Sequence, residues 1–225
     1  MRIFSIDWDY FQVVGPDLVR LYPEGYDKPT EESILDWRRI YRRHPGVYRV
    51  DINRREYNLL IDLLEKQDPH IPVMIRQSHI HIYDFIHSLT SKNQKIDLVN
   101  VDMHHDLLND TPYLDCGNWI MALIKEDMIN KNSLRWVSNP ISLFAYGLKH
   151  LSADENKLKK VLSLWNISGG LKYLDNTKFD AIYIARSDPW SPPHLDMYFE
   201  QLLVTMRDLF PNLSIDDSVD LPRII

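Results

Sequence analysis

The segment Asp102-Met103-His104-His105-Asp106 has the residue types and spacing of a metal-binding strand end. It directly follows the apolar run Ile96–Val101, which is typical of a strand buried inside a parallel sheet. Residues two apart in an extended backbone point the same way, so Asp102, His104 and Asp106 are expected to converge on one side. Carboxylates with few imidazoles favour Mn²⁺, Fe²⁺ or a similar hard-to-borderline ion over a thiolate zinc site.

Three other apolar runs also end in groups that can ligate a metal or hold a cation. They are Ile3–Ile6 followed by Asp7 and Asp9, Ile71–Ile75 followed by His79, and Phe179–Ala185 followed by Arg186, Ser187 and Asp188. Any one of these groups could instead be a turn residue, a helix cap or a structural histidine. Their shared position at the carboxyl ends of strands, where open α/β sheets bind ligands, favours a common site. Clustered carboxylates repel one another, and two divalent cations would offset that repulsion.

Strands and helices alternate along the chain, which predicts a three-layer α/β/α fold with a mostly parallel sheet. Two further strands are predicted over Leu134–Val137 and Ile141–Tyr146. Residues 12–30 are rich in Gly, Pro and Tyr and are predicted to form a loop. Helices are predicted over Glu31–Arg43 with Thr30 as N-cap, Asn53–Lys66, Ile80–Leu89, Asn118–Met128, Glu155–Leu164 and Leu195–Phe210. We expect residues 1–225 to form a single catalytic domain.

Composition narrows the classes of partner. The net charge is −6, whereas a protein that binds the phosphate backbone is normally basic, so we expect no nucleic-acid partner. No run approaches the roughly 20 apolar residues of a membrane span, so we expect no membrane partner. Cys116 is the only cysteine, which fits a reducing compartment and predicts a cytoplasmic protein. The sequence leaves the oligomeric state open.

Taken together, the motifs resemble the arginase/ureohydrolase superfamily, and most closely its atypical branch of arginase-like proteins that includes peptide arginases. Asp102, His104 and Asp106 match the family's Asp-x-His-x-Asp strand end, and Ser78-His79, 23 residues before Asp102, resembles its upstream histidine. The remaining matches are Ser5-Ile6-Asp7-Trp8-Asp9 with the Tyr10-Phe11 pair, Cys116-Gly117-Asn118-Trp119, and Ala185-Arg186-Ser187 ahead of Pro189, Pro192 and Pro193.

The chain departs from ordinary arginases in two ways. Their Asp-x-Asp segment follows the Asp-x-His-x-Asp segment, whereas here it opens the chain, as if the strand order were circularly permuted. They also carry a proton-shuttle histidine shortly after a Gly-Asn pair, whereas Gly117-Asn118 is followed by Trp119 and Ile120. Proton transfer is then left to His105, His81 or water.

The resemblance implies an arginase/deacetylase-like fold with two Mn²⁺ ions, or Fe²⁺ or Co²⁺ in their place. One ion would be held by His79, Asp102, Asp106 and Asp7, and the other by His104, Asp102, Asp7 and Asp9. The implied reaction hydrolyses the guanidinium group of arginine, within a peptide or as a small guanidino substrate, to ornithine and urea.

The substrate contacts are predicted from the chemistry of the guanidinium group. A guanidinium pairs with a carboxylate through parallel hydrogen bonds, and Asp188 is the candidate, although it could instead cap the helix after Pro193. Trp119 and Trp190 could wall the pocket, or belong to the core.

Two other functions remain open. One is a single-zinc deacetylase or amidohydrolase of the same fold, acting on acyl-lysine or polyamines, although such enzymes typically lack the second Asp of the Asp-x-Asp pair. The other is a non-catalytic protein whose acidic cleft binds basic peptides.

Overall fold

The computed structural model describes residues 1–23, 27–91, 93–108, 112–129, 132–142, 170–220 and 223. Within these residues the centre of the fold is a six-stranded sheet in which every neighbouring pair of strands is parallel. Its strands are β1 (Arg2–Asp7), β4 (Val73–Arg76), β5 (Asp97–Asp102), β6 (Arg135–Ser138), β7 (Ala181–Ala185) and β8 (Ser214–Ile215). Their order is β6-β5-β1-β7-β4-β8, and β2 (Gln12–Val13) and β3 (Asp51–Ile52) form a separate antiparallel pair.

Helices cover both faces of this sheet. They are α1 (Pro16–Val19), α2 (Thr30–Arg43), α3 (Arg54–Leu64), α4 (Ile82–Leu89), α5 (Trp119–Lys125) and α6 (Asp196–Leu209). Side chains alternate across β1, so Phe4 and Ile6 pack with α3 and α6 on one face, while Ile3 packs with α4 and α5 on the other. The three-layer α/β/α prediction is therefore confirmed.

The register of the sheet aligns the strand ends that carry polar groups. In the parallel pairing of β1 with β5, Ile6 lies opposite Val101, so Asp7 and Asp102 follow at the same level. Asp7 also lies opposite Ala185 of β7, and Ala185 in turn lies opposite Arg76 of β4. The carboxyl ends of four strands thus meet at one edge.

The sequence predicted Thr30 as the N-cap of α2, and the structure contradicts this. The helix begins at Thr30 itself, Pro29 occupies the cap position, and the Thr30 hydroxyl donates to Asp188 Oδ2 at 2.7 Å. The Thr30 hydroxyl, which the local pattern assigns to helix capping, is instead used in a tertiary hydrogen bond to Asp188.

The predicted strand Ile141–Tyr146 is wrong for its described residues, 141–142. Asn139 forms a turn there: its side-chain oxygen accepts from the backbone N–H of Ile141 at 2.9 Å, and its carbonyl accepts from Ser142 at 2.9 Å. Residues 143–146 and the predicted helix Glu155–Leu164 lie outside the described residues. The predicted loop over 12–30 contains β2 and α1, and β8 had no predicted counterpart.

The remaining boundaries shift by a few residues. The helix predicted from Asn118 ends at Lys125, and Asp127 follows in the left-handed region with φ 59°. Short 3-10 turns precede α4 (His79–His81) and α6 (Pro193–Leu195). No helix in the described part of the chain is long and apolar enough to cross a bilayer.

Gly170 allows a test of the packing around α3. Its φ of 80° and ψ of −165° belong to a region that essentially only glycine adopts, and a Cβ there would lie 2.5 Å from the Glu56 carboxylate oxygens. We expect Gly170→Ala to lower the free energy of unfolding by about 1–3 kcal/mol in urea denaturation.

Gly15→Ala is the matched control, because Gly15 has φ −85° and an added Cβ would meet nothing within 4 Å. We expect a change of less than about 1 kcal/mol for this variant. Equal unfolding midpoints for the two variants would contradict the described geometry at Gly170.

Candidate metal centre

The structure brings all six predicted metal ligands together at the carboxyl edge of the sheet. Asp7 and Asp102 are the last residues of β1 and β5, Asp9 lies in the 3-10 turn after β1, and His79 opens the turn that precedes α4. His104 and Asp106 belong to the loop after β5. Five of the six residues are buried, and the side chain of His104 is 18% exposed.

Period-2 geometry does not explain how the motif after β5 converges. The strand ends at Asp102, and Asp106 has a left-handed backbone with φ 52°. The irregular loop therefore turns Asp106 back towards the strand end. The three residues do lie together, but a bent loop and not an extended one aligns them.

The first donor group surrounds the His79 imidazole. Its Nε2 shares a hydrogen bond with Ser5 Oγ at 2.7 Å. Its Nδ1 lies 3.3 Å from Asp7 Oδ2 and 3.2 Å from both Asp102 Oδ2 and Asp106 Oδ2, yet forms no hydrogen bond. Among the described residues, one buried nitrogen and three carboxylate oxygens thus face a common point.

The second donor group lies next to the first. His104 Nδ1 is 2.8 Å from Asp9 Oδ2 and 3.4 Å from Asp102 Oδ1. Asp102 therefore presents Oδ2 to the first group and Oδ1 to the second. Within each of the triads Asp7–His79–Asp102 and Asp9–Asp102–His104, one ligand atom per residue lies within 4.8 Å of the others. Asp102 is the residue shared by two adjacent donor sets.

The chemistry of these donors fits hard or borderline divalent cations. Adjacent ligands of one octahedral ion at 2.0–2.1 Å lie about 3 Å apart, which matches the 3.2–3.3 Å separations around His79 Nδ1. Aspartate oxygens outnumber imidazoles, and the one cysteine, Cys116, belongs to neither triad. Asp9 Oδ2 is also buried without a hydrogen bond. Buried polar atoms normally have a partner, and a bound cation would supply one here.

The electrostatics of the carboxylates also call for a cation. Burial, then the charge of Asp7, raises the pKa of Asp9 well above its ordinary value. Burial, then the charge of Asp102, raises the pKa of Asp106 to about 8. Burial opposes ionisation of Asp102 too, but hydrogen bonding with His104 and the charge of the nearby imidazoles lower its pKa overall. Either protons or metal ions must therefore neutralise part of this cluster.

Four polar groups outside the six predicted ligands hold those ligands in place. Ser5 orients His79, the Ser187 hydroxyl donates to Asp7 Oδ2 at 2.5 Å, and Asn100 donates to Asp102 Oδ2 at 3.3 Å. The backbone N–H of Met103 donates to Asp9 Oδ1 at 3.1 Å. Ser5 and Asn100 each stand two residues before a ligand on the same strand, a signal that period-2 reading could have used.

Ser187 carries a strained backbone beside the cluster. Its φ is 53°, a left-handed conformation that is costly for a residue with a Cβ. Its N–H donates to the carbonyl of Gln77 at 2.8 Å, and its own carbonyl accepts from Trp190 at 2.9 Å. This backbone conformation places the Ser187 hydroxyl against Asp7.

The sequence left Trp119 either in the pocket wall or in the core, and the structure places it in the core. It is fully buried, and its indole N–H donates to Asp106 Oδ2 at 2.5 Å, so it orients a ligand from behind. Trp190 is partly exposed and lies edge-on to the His104 ring, with the two centroids 4.8 Å apart. Trp190 alone of this pair borders the open side of the centre.

The predicted role of His105 in proton transfer meets an obstacle. Its Nδ1 accepts from the backbone N–H of Leu107 at 3.0 Å, and burial lowers the pKa of its imidazole to about 4. His105 is thus neutral near pH 7 and carries its proton on Nε2. This state makes it a hydrogen-bond donor and a poor general base.

Asp188, the predicted partner of a substrate guanidinium, is already paired within the protein. Its Oδ1 accepts from Arg186 Nε at 2.5 Å, and its Oδ2 accepts from Arg186 Nη2 at 2.9 Å and from Thr30. Arg223 Nη1 lies 3.6 Å from Oδ1, and the side chain has no exposure. A substrate would have to displace Arg186, so the geometry favours a structural role for Asp188.

No family model, curated protein or solved structure matches this chain. The residues themselves therefore carry the argument. They show a buried Asp/His cluster that could hold a metal ion.

Metal content tests the two donor groups separately. We expect wild-type protein loaded with Mn²⁺ and desalted to retain two ions per chain by mass spectrometry of the metal. Asp9→Asn and Asp106→Asn should each retain one, because each removes a ligand from one group, and Asp102→Asn should weaken both. The exposed Asp62 on α3 supplies the control, Asp62→Asn. A single ion that both Asp9→Asn and Asp106→Asn abolish would contradict the two-group arrangement.

Stability tests the assignment of Asp188. Asp188→Ala leaves Arg186 and Arg223 buried without this counter-charge, and we expect a loss of about 3–5 kcal/mol in denaturant unfolding. The control is Asp175→Ala, which breaks the exposed ion pair with Lys66 and should cost no more than about 1 kcal/mol.

The same variant has a pH signature. Burial disfavours the Asp188 carboxylate, but Arg223 and Arg186 lower its pKa overall. The stabilisation is therefore present above the pKa of an unfolded aspartate and is lost as pH falls through the lower folded value, so Asp188→Ala should lose less stability than wild type in that acid range. A variant as stable as wild type that no longer binds substrate would restore the predicted substrate role.

Proposed function

We propose that this protein is a binuclear-metal hydrolase that cleaves the guanidinium group of an arginine side chain, within a peptide, to give ornithine and urea. The observation that carries the proposal is Asp102, which offers one oxygen to each of two adjacent Asp/His donor groups. The proposal also rests on the resemblance of these motifs to atypical arginase-like proteins. Mn²⁺ is the metal that we favour.

The six candidate ligands would form two sets, one for each metal ion. Asp7, His79, Asp102 and Asp106 would hold one ion, and Asp9, His104 and Asp102 the other. Two such ions, when bound, activate a water and stabilise negative charge in the transition state. The protein excludes bulk water from the inner side, where the ligands are buried, and leaves the side of His104 and Trp190 open to substrate.

The reaction balances with one water. Water adds to the guanidinium carbon, the bond from that carbon to the side-chain nitrogen breaks, and that nitrogen leaves as the ornithine amine after taking a proton. His105 offers only an Nε2–H at neutral pH, so we assign the proton delivered to the amine to solvent at the open side.

Asp9 weighs against the alternative of a single-zinc deacetylase. A single ion at the His79 group would leave Asp9 without a metal, whereas Asp9 Oδ2 is buried 2.8 Å from His104 Nδ1 and forms no hydrogen bond. Burying a carboxylate oxygen that has neither a hydrogen bond nor a bound cation is unfavourable. The second donor group is therefore best explained by a second ion.

Mass spectrometry of a peptide tests the proposal. With Mn²⁺ and an arginine-containing peptide, we expect each modified arginine to lose one CH₂N₂ unit, with urea released in equal amount. Asp102→Asn should abolish this change, and the same peptide with lysine in place of arginine should stay intact. Unchanged peptide, arginine and agmatine across several metals would refute the proposal, and release of acetate from an acetyl-lysine peptide with zinc would support the deacetylase.

A further inference from the structure

Asp27 is a carboxylate at the metal centre that none of the motifs includes. Its Oδ2 accepts a hydrogen bond from Ser78 Oγ, and Ser78 immediately precedes the ligand His79. The residues that follow Asp27 contact neighbouring parts of the site: the Lys28 carbonyl accepts from Gln77 Nε2 at 3.0 Å, and the Thr30 hydroxyl donates to Asp188 Oδ2 at 2.7 Å. The segment that carries Asp27 thus lies between the turn that carries His79 and the loop after β7, which carries Trp190.

Exposure separates Asp27 from the ligand carboxylates. Asp7, Asp9, Asp102 and Asp106 are at most 3% exposed, whereas Asp27 is partly exposed. Other partly exposed groups at the centre are His104 and Trp190, whose rings lie edge to face. Because the segment of Asp27 contacts the loop of Trp190 through Thr30 and Asp188, we take Asp27, Trp190 and His104 to border one partly exposed side of the centre, its mouth.

One carboxylate oxygen of Asp27 is available to accept a hydrogen bond from a ligand. Its Oδ2 is taken by Ser78, and Oδ1 has no hydrogen-bond partner among the residues that the structure describes. Asp188 differs, because Arg186 engages both of its oxygens. A ligand cation can therefore reach Asp27 without breaking an internal ion pair.

The charge balance of the centre predicts a role for a carboxylate in addition to the four ligand carboxylates. Four ligand carboxylates neutralise two divalent ions, so a substrate that carries a guanidinium brings one positive charge in excess. Repulsion by two nearby divalent ions would oppose its entry unless another carboxylate lay at the mouth. Asp27 meets this requirement, because it is not one of the six ligands and forms no ion pair with another described residue.

We propose, on the basis of the proposed function, that Asp27 receives the guanidinium group of the substrate at the mouth of the metal centre and so selects cationic over neutral side chains. Ser78 fixes one oxygen of the carboxylate. The other oxygen accepts from a guanidinium N–H and directs its carbon towards the ligand cluster. Ser78 and Asp27 thereby link substrate recognition to the turn that carries His79.

The test measures binding of N-acetylarginine amide, and of its neutral isostere N-acetylcitrulline amide, to the Mn²⁺-loaded full chain. Affinity is taken from calorimetric titration where the probe stays intact and from KM where it is hydrolysed. We expect wild type to prefer the arginine probe and Asp27→Asn to bind it about 10- to 100-fold more weakly, because a charge-assisted hydrogen bond is lost. Asp27→Glu should recover part of the affinity.

Asp17→Asn is the matched control, since Asp17 is exposed on α1 in the same stretch of chain. Metal content separates recognition from structure: Asp27→Asn should retain as much Mn²⁺ as wild type. Equal affinity of wild type and Asp27→Asn for the arginine probe, loss of metal in the variant, or no preference for arginine over citrulline in wild type would each overturn the role of Asp27. Probe binding that depends on Asp27 without any loss of CH₂N₂ from peptides would uphold this inference and refute the proposed reaction.

Discussion

Four buried aspartates crowd the carboxyl ends of β1 and β5 and the turns that follow, and their mutual repulsion is the constraint that the surrounding structure answers. Taking a carboxylate out of water costs several kcal/mol even after the protein relaxes, and each further charge nearby adds to that cost. The raised pKa values of Asp9 and Asp106 express the same conflict. Two imidazoles, three side-chain donors and backbone amides offset part of it, and divalent cations would offset the rest.

The parallel sheet is what makes such crowding possible. Parallel neighbours end at the same edge, so the register of β1 with β5 places Asp7 beside Asp102 without any special loop. The centre of the sheet is also its most buried part, and there Ser5 and Asn100 can aim their side chains at the cluster from within the strands. The apolar layers on either side keep these polar groups away from competing water.

A second ionic network supports the rim of the site. Asp188 is paired with Arg186 after β7, and Arg223 near the end of the chain contacts Asp188 and Asp196. Arg186 also donates to the carbonyls of Ser218 and Val219. These contacts tie strand β7, the start of α6 and the final residues together, which holds the Ser187 hydroxyl against Asp7. The residues resembling an arginase-like signature after β7 thus have a structural explanation in this chain.

The sequence by itself determined the alternation of strand and helix, the edge of the sheet at which the polar groups gather, and the six candidate ligands. It could do so because side-chain periodicity is a local property and parallel strands end together. Only the tertiary structure decided which carboxylates are available. Asp188 was predicted to face substrate but pairs with Arg186 and with Arg223, which lies 35 residues away in sequence. The sequence left Trp119 in the pocket wall or in the core, and folding buries it with its indole N–H on Asp106. Asp27 belonged to no motif. Whether a charged group is paired or open depends on partners brought together by folding, and no spacing along the chain encodes that.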